Sequence, residues 1–144
     1  GLRRIYDCIE HEYTAPHASR PTYAAFLRQA AGRLEVEELG AIADEADAIG
    51  QRWADIASTI VEAGDPAVTR GCAISDRRAE LLDTADQDPT KEMRELWLER
   101  KELGRACRLD AAGAKALYGE LATIVSEIAE RERDLNATLA QVVG

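Results

Sequence analysis

At 144 residues, with 46% hydrophobic and 31% charged side chains, the chain has the length and apolar content of one domain with its own core. Its 27 acidic against 18 basic residues give a formal charge of −9, which argues against a general nucleic-acid binder and against an anionic membrane surface as partner, because both need a basic face. Three scattered cysteines, Cys8, Cys72 and Cys107, do not make a disulfide framework, and no apolar run approaches a membrane span or the core of a signal peptide, so the expected compartment is the cytoplasm.

Alanine, leucine, glutamate and arginine dominate, and β-branched runs are absent. The expected fold is therefore all-α, an antiparallel up-and-down bundle of five to six helices forming one domain over residues 1–144. The first helix runs from Leu2 to Tyr13 on Leu2, Ile5, Tyr6 and Ile9. It opens without an initiator Met and already in helical pattern, which suggests a processed product or a piece of a longer protein. Thr14 to Pro21 is a connector whose two prolines no helix crosses. A second helix, Thr22 to Ala31, carries Tyr23, Phe26, Leu27 and Ala30. The third, Val36 to Ala63, is the clearest: Leu39, Ile42, Ala46, Ile49, Trp53, Ile56 and Ile60 recur at steps of three and four and share one stripe. Gly64-Asp65-Pro66 ends it.

Gly64 to Ile74, with Gly71 and Cys72, then reads as the longest irregular stretch after the first helices and as a candidate for movement or partner contact. Ser75 caps a short helix over Asp76 to Thr84 in this reading. Asp88-Pro89-Thr90 places a capping residue before a first-turn proline, opening a helix with Met93, Leu96, Trp97, Leu103 and Cys107 that reaches about Arg108. The last helix runs from there almost to Gly144 on Leu117, Leu121, Ile124, Ile128, Leu135, Leu139 and Val142, interrupted on the stripe by Arg131. Trp53 and Trp97 lie on apolar stripes and are expected as core anchors.

Acidity is concentrated on the third helix, where residues 35–64 hold eight acidic side chains and one arginine. A solvated polar face explains this, and so does a docking surface for a basic partner or amine. Near the start, Asp7, Cys8 and His11 can share a helix face with His17 close by, a composition open to a nucleophile and base, to metal ligation, or to a half-buried Cys beside a surface His. Cys and His one helical turn apart seldom aim their reactive atoms at each other. A structural zinc site also needs four ligands, so no metal is expected. No Glu-x-x-His repeat or glycine-rich phosphate loop is present, so no cofactor is expected either.

The run Ile5-Tyr6-Asp7-Cys8-Ile9-Glu10, then Thr22-Tyr23-Ala24-Ala25-Phe26-Leu27-Arg28-Gln29-Ala30-Ala31, then Leu39 and Gln51-Arg52-Trp53-Ala54-Asp55-Ile56-Ala57, resembles the helical C-terminal domain of butirosin-biosynthesis-protein-H-like proteins over residues 2 to 63. That family's connector is glycine-rich and leads to a phenylalanine and an arginine, whereas here it reads His11-Glu12-Tyr13-Thr14-Ala15-Pro16-His17-Ala18-Ser19-Arg20. The resemblance implies a papain-like or peptidase-like N-terminal catalytic domain as partner. It also implies a protein moving an acyl group from a carrier protein to an aminoglycoside amine, or an amidohydrolase-like relative. The family's catalytic cysteine belongs to that other domain, so no nucleophile is assigned to Cys8, Cys72 or Cys107. Glu10, His11, His17 and Arg20 are the implied contacts to the catalytic domain or its substrate. From a different class, a free-standing bundle would act as a protein-interaction module or homodimer by pairing leftover apolar stripes between copies.

Overall fold

The computed structural model describes residues 1–12, 15–63, 65–84, 89–106 and 108–144. It contains six helices and, among the described residues, no strand: α1 (Leu2–Glu10), α2 (Arg20–Leu34), α3 (Glu38–Glu62), α4 (Pro66–Asp83), α5 (Thr90–Leu103) and α6 (Ala111–Val143). The all-α bundle follows from the periodicity. The expected caps at Gly64 and Asp88, and Tyr13, Thr14 and Cys107, lie outside the described residues.

α3 is the axis. Leu39, Ile42, Ala43, Ala46, Ile49, Ile56, Ala57 and Ile60 are buried along it. They pack with Leu2, Tyr6 and Ile9 of α1, Ala24 and Leu27 of α2, Val68 and Cys72 of α4, and Leu117, Leu121, Ile124, Ile128 and Leu135 of α6. Each such aliphatic side chain, once buried, contributes roughly 1.5–3 kcal/mol, so the stripe read in the sequence is the main source of stability. A second, smaller core joins Ile74 and Leu81 of α4 to Leu96 of α5, flanked by Met93 and Leu103. α6 packs mainly against α3 and α5 mainly against α4, with Arg20 of α2 reaching Glu132 of α6 and Arg100 of α5 reaching Asp7 of α1, so α5 and α6, neighbours in sequence, do not pack on each other.

Several boundaries differ from expectation: α1 ends at Glu10 rather than Tyr13, and α2 runs from Arg20 to Leu34 rather than Thr22 to Ala31, with Pro21, expected in the connector, in its first turn, where a missing N–H costs nothing. The stretch read as an irregular connector, Gly64 to Ile74, is helical from Pro66 onward: the Asp65 carboxylate accepts from the amides of Ala67 and Val68, and Pro66 has the φ a first turn needs. Gly71 and Cys72, taken for loop residues, are buried in that helix, and Ser75 lies in its interior rather than at its start. At the other boundary, α5 stops at Leu103 rather than about Arg108, and α6 starts at Ala111, where Asp110 caps the amide of Gly113.

The tryptophans divide. Trp53 is half-buried against the main core, but Trp97 is 54% exposed, because α5 turns only its Met93, Leu96 and Leu103 side toward α4. Arg131 interrupts the α6 stripe for a reason: its guanidinium forms two bonds to Glu45 on α3, at 2.7 and 3.0 Å. α5 is tied to α4 by Arg70 to Glu99 and Arg77 to Glu92, and these arginines hold both carboxyls below the usual carboxylate range.

Candidate functional site

Two clusters flank α1. In the first, Tyr6 and Asp7 bring polar groups into a helix side that is otherwise apolar, and both are buried. Asp7 is only 3% exposed. Its carboxylate accepts the Ser75 hydroxyl at 2.6 Å and Arg100 Nη2 at 3.2 Å, with Arg3 Nε at 4.0 Å. Two cations and a hydroxyl give this buried carboxylate the partners whose absence would be costly. The stem of Arg3 crosses Gly71, where a Cβ would meet Arg3 Cδ at 3.3 Å, so a glycine on α4 permits that approach.

Beside it, the Tyr6 hydroxyl donates to Asp76 Oδ1 at 2.7 Å, and His11 Nε2 lies 2.7 Å from the same oxygen. The Tyr6 and His11 rings are tilted against each other with centroids 5.7 Å apart. Burial, then the Asp76 carboxylate, pushes the Tyr6 phenol well above its usual value, so it stays protonated and donating. Burial, then Asp7 and Asp76, pushes the Cys72 thiol up to about 12. A buried thiol protonated at neutral pH is neither a nucleophile nor a metal ligand. A cleft of about 200 Å³ opens here, lined by Asp7, His11, Glu12, Ser75, Arg78 and Leu82.

The proton connections decide what this cluster can do. Ser75 donates directly to a carboxylate, a base weaker than imidazole by roughly two to three pH units, while the imidazole of His11 is hydrogen-bonded to a different carboxylate. Ser75 and His11 therefore do not form a nucleophile–base pair. The network clamps α1 to α4 and α5.

The second cluster holds most of the residues implied by the resemblance. His17 Nδ1 lies 3.3 Å from Glu10 Oε1, and Arg20 Nε lies 2.6 Å from Glu132 Oε1 of α6. His11 is not with them, since it faces Asp76. Between α1 and α2 the chain makes a turn with His17, Ala18 and Ser19 at φ of 50°, 53° and 61°, three successive non-glycine residues in left-handed backbone. Gly50 of α3 lies beneath, where a Cβ would meet Arg20 Cβ at 3.0 Å and Pro21 Cδ at 3.4 Å. A cleft of about 320 Å³ beside the turn is lined by Tyr6, Glu10, His17, Ala54, Ser58 and Glu62.

Within the first cluster Asp7 and His11 take different partners. Asp7 points to Ser75 and Arg100, His11 to Asp76, and among the described residues no group of three His, Cys, Asp or Glu side chains stands close enough to hold a metal ion. Reading the sequence missed Ser75, Asp76 and Arg100 as partners of α1, because they come from elements 65 or more positions away. The only local signal was Asp7 following Tyr6 toward the apolar side. Among the described residues, no helix is long and apolar enough to cross a membrane. No protein-family model, curated protein or solved structure matches the chain.

Proposed function

We propose that this chain is a helical accessory domain of a butirosin-H-like acyltransferase or amidohydrolase-like protein, covering and shaping the substrate site of a catalytic domain that supplies the nucleophile. The observation that supports this reading is the left-handed turn at His17–Ser19. Left-handed backbone costs a non-glycine residue about 1–2 kcal/mol, and such strain persists where its surroundings enforce it, most often at contact and active sites. Here Glu10, Glu132 and the Gly50 floor enforce it, in the connector where the resembling family carries glycines. Phe26, part of the motif behind the resemblance, is 61% exposed on α2, which the turn leads into. The proposed contact surface is Glu10, His17, Arg20 and Phe26, with His11 on the far side of α1.

The test begins with the gene, which on this reading also encodes, or adjoins, a domain with a catalytic Cys and His. With that domain in hand, Phe26→Asp, a surface change, is expected to leave the helical content unaltered while weakening association and lowering acyl transfer at least tenfold. Equal binding and turnover with Phe26→Asp, or no such domain beside the gene, defeats the reading.

A second reading, a module that pairs with copies of itself, is favoured by the outer side of α5, where Trp97 is 54% and Leu98 48% exposed.

A further inference from the structure

We propose that the chain assembles head to tail, with the outer face of α5 of one copy lying in the groove between α3 and α6 of the next. The inference rests on the self-pairing reading and adds which two surfaces meet. At 100° per residue, Leu96 faces α4, and Lys91, Arg94, Trp97, Leu98 and Lys101 fall on the opposite half with Glu95 and Glu102 on its flank; all are exposed, and Arg105, just past the helix end, lies 3.9 Å from Glu102. Around an exposed indole and an exposed leucine, this face sets Lys91, Arg94 and Lys101 against Glu95 and Glu102, so that cations outnumber carboxylates in a protein of charge −9. Lys91 and Arg94 have no partner among the described residues. The Lys101 ammonium lies 5.6 Å from the centre of the Trp97 ring, which fixes the indole against its own helix.

The groove has the opposite character. It measures about 510 Å³ and runs along the first two turns of α3 and the last third of α6, with Ala41, Ile42, Leu135 and Val142 on its walls. Glu38 and Asp134 line it with carboxylates that no cation among the described residues pairs, and the Glu45–Arg131 ion pair lies alongside. On α6 the lining spans residues 131 to 142, about 16 Å at the α-helical rise; the α5 face from 91 to 102 has the same length. An apolar trough with an acidic rim and a helix face with an apolar centre, on whose rim cations outnumber carboxylates, fit as a helix laid in a groove.

One copy does not fill its own groove. α5 packs on α4 and reaches α1 through Arg100, and α4 follows the last turn of α3, whereas the groove is at the first. The contact is therefore heterologous, and repetition gives a chain of copies or a closed ring rather than a two-fold dimer. A single helix face buries less than the roughly 1,200 Å² of a stable interface, so the association is of the weak, salt-sensitive kind.

Sedimentation velocity across about 1 μM to about 1 mM tests this. The expected wild-type mean mass rises beyond two copies at low salt and falls back at about 0.5 M salt, where surface charges are screened. Trp97→Asp removes the face and Glu38→Lys with Asp134→Lys reverses the groove; all three positions are on the surface, and circular dichroism confirms that each variant folds. Each variant alone is expected to stay monomeric, while an equimolar mixture forms a one-to-one complex that grows no further, since one supplies an intact groove and the other an intact face. A wild type that is monomeric throughout overturns this proposal and the self-pairing reading together. Growth that stops at two copies, or a mixture that forms no complex, overturns the head-to-tail arrangement while leaving self-pairing standing.

Discussion

The Asp7 network offers a prediction in which the order of three stabilities matters more than any single one. Arg100→Met keeps the aliphatic stem but removes the charge that reaches Asp7 at 3.2 Å, leaving a carboxylate 3% exposed with the Ser75 hydroxyl and an Arg3 at 4.0 Å. Removing one partner of a buried pair costs about 3–5 kcal/mol, and since Arg100 is itself 23% exposed the lower end applies, about 3 kcal/mol. For a domain of this size that lowers the melting temperature by about 10 °C. Asp7→Asn retains an acceptor for Ser75 and costs about 1–2 kcal/mol. Once the carboxylate is gone, losing Arg100 exposes no buried charge, so the double variant is expected near 2 kcal/mol below wild type and more stable than Arg100→Met alone. Urea unfolding followed by far-UV circular dichroism at neutral pH, with unchanged slopes, measures all four proteins. Additive losses, or an Arg100→Met protein within about 0.5 kcal/mol of wild type, refute the account of a buried carboxylate paired by Arg100.

The turn over Gly50 yields two substitutions of opposite sign. Gly50→Ala is expected to destabilise by about 1 kcal/mol, despite the better helix propensity of alanine, because the new methyl would meet Arg20 Cβ at 3.0 Å and Pro21 Cδ at 3.4 Å; a more stable protein by urea titration contradicts the close approach. Ala18→Gly, at φ 53°, is expected to gain up to about 1 kcal/mol, the relief of left-handed strain less the extra freedom of the unfolded chain; a loss contradicts the strain. Alkaline pH forms the last prediction. Cys72 titrates at about 12 when folded but near 8.5 when unfolded, so above about pH 9 the unfolded state binds fewer protons than the folded one, and stability falls with rising pH by up to about 1.4 kcal/mol per unit. Tyr6, also raised, adds a second loss from about pH 10. In Cys72→Ala the decline between about pH 9 and 10 should disappear, and a decline of unchanged slope there rules out the buried thiol as its source.

What could be read in the sequence follows from the range of the interactions involved. The α3 stripe is a local pattern, and the six helices follow from it and its counterparts with errors mainly at ends. The stretch 64 to 74 misled because Gly71 and Cys72 look like loop residues, yet Gly71 is small so that Arg3 can cross it and Cys72 is buried in the main core. Trp97 misled because a helical stripe shows that one side is apolar, not that a partner covers all of it; α5 has mainly α4 to pack on. Of the site, Glu10 and His17 were legible as neighbours across a short connector. The Asp7–Ser75–Arg100 network was not, since its members are separated by 68 and 93 positions.

The acidity of α3 shows the same limit in electrostatics. Counted along the chain, residues 35–64 hold one base against eight acids, and an acidic docking helix is one of two readings that fit. In space, Arg28 of α2 reaches Asp44 at 2.8 Å and Asp47 at 2.6 Å, Arg131 of α6 bonds Glu45, and Arg52 bridges Asp55 to Glu127. Half of those acids therefore face arginines, two of which come from outside the window. Each pair is exposed or nearly so and contributes little to stability, but together the three arginines offset much of the charge along the middle of the helix. Of the remaining acids, Glu35, Glu37 and Glu38 precede or open the first turn, where the helix dipole favours negative charge. What reads in the sequence as a uniformly acidic helix is an acidic end, and that end borders the groove shared with α6.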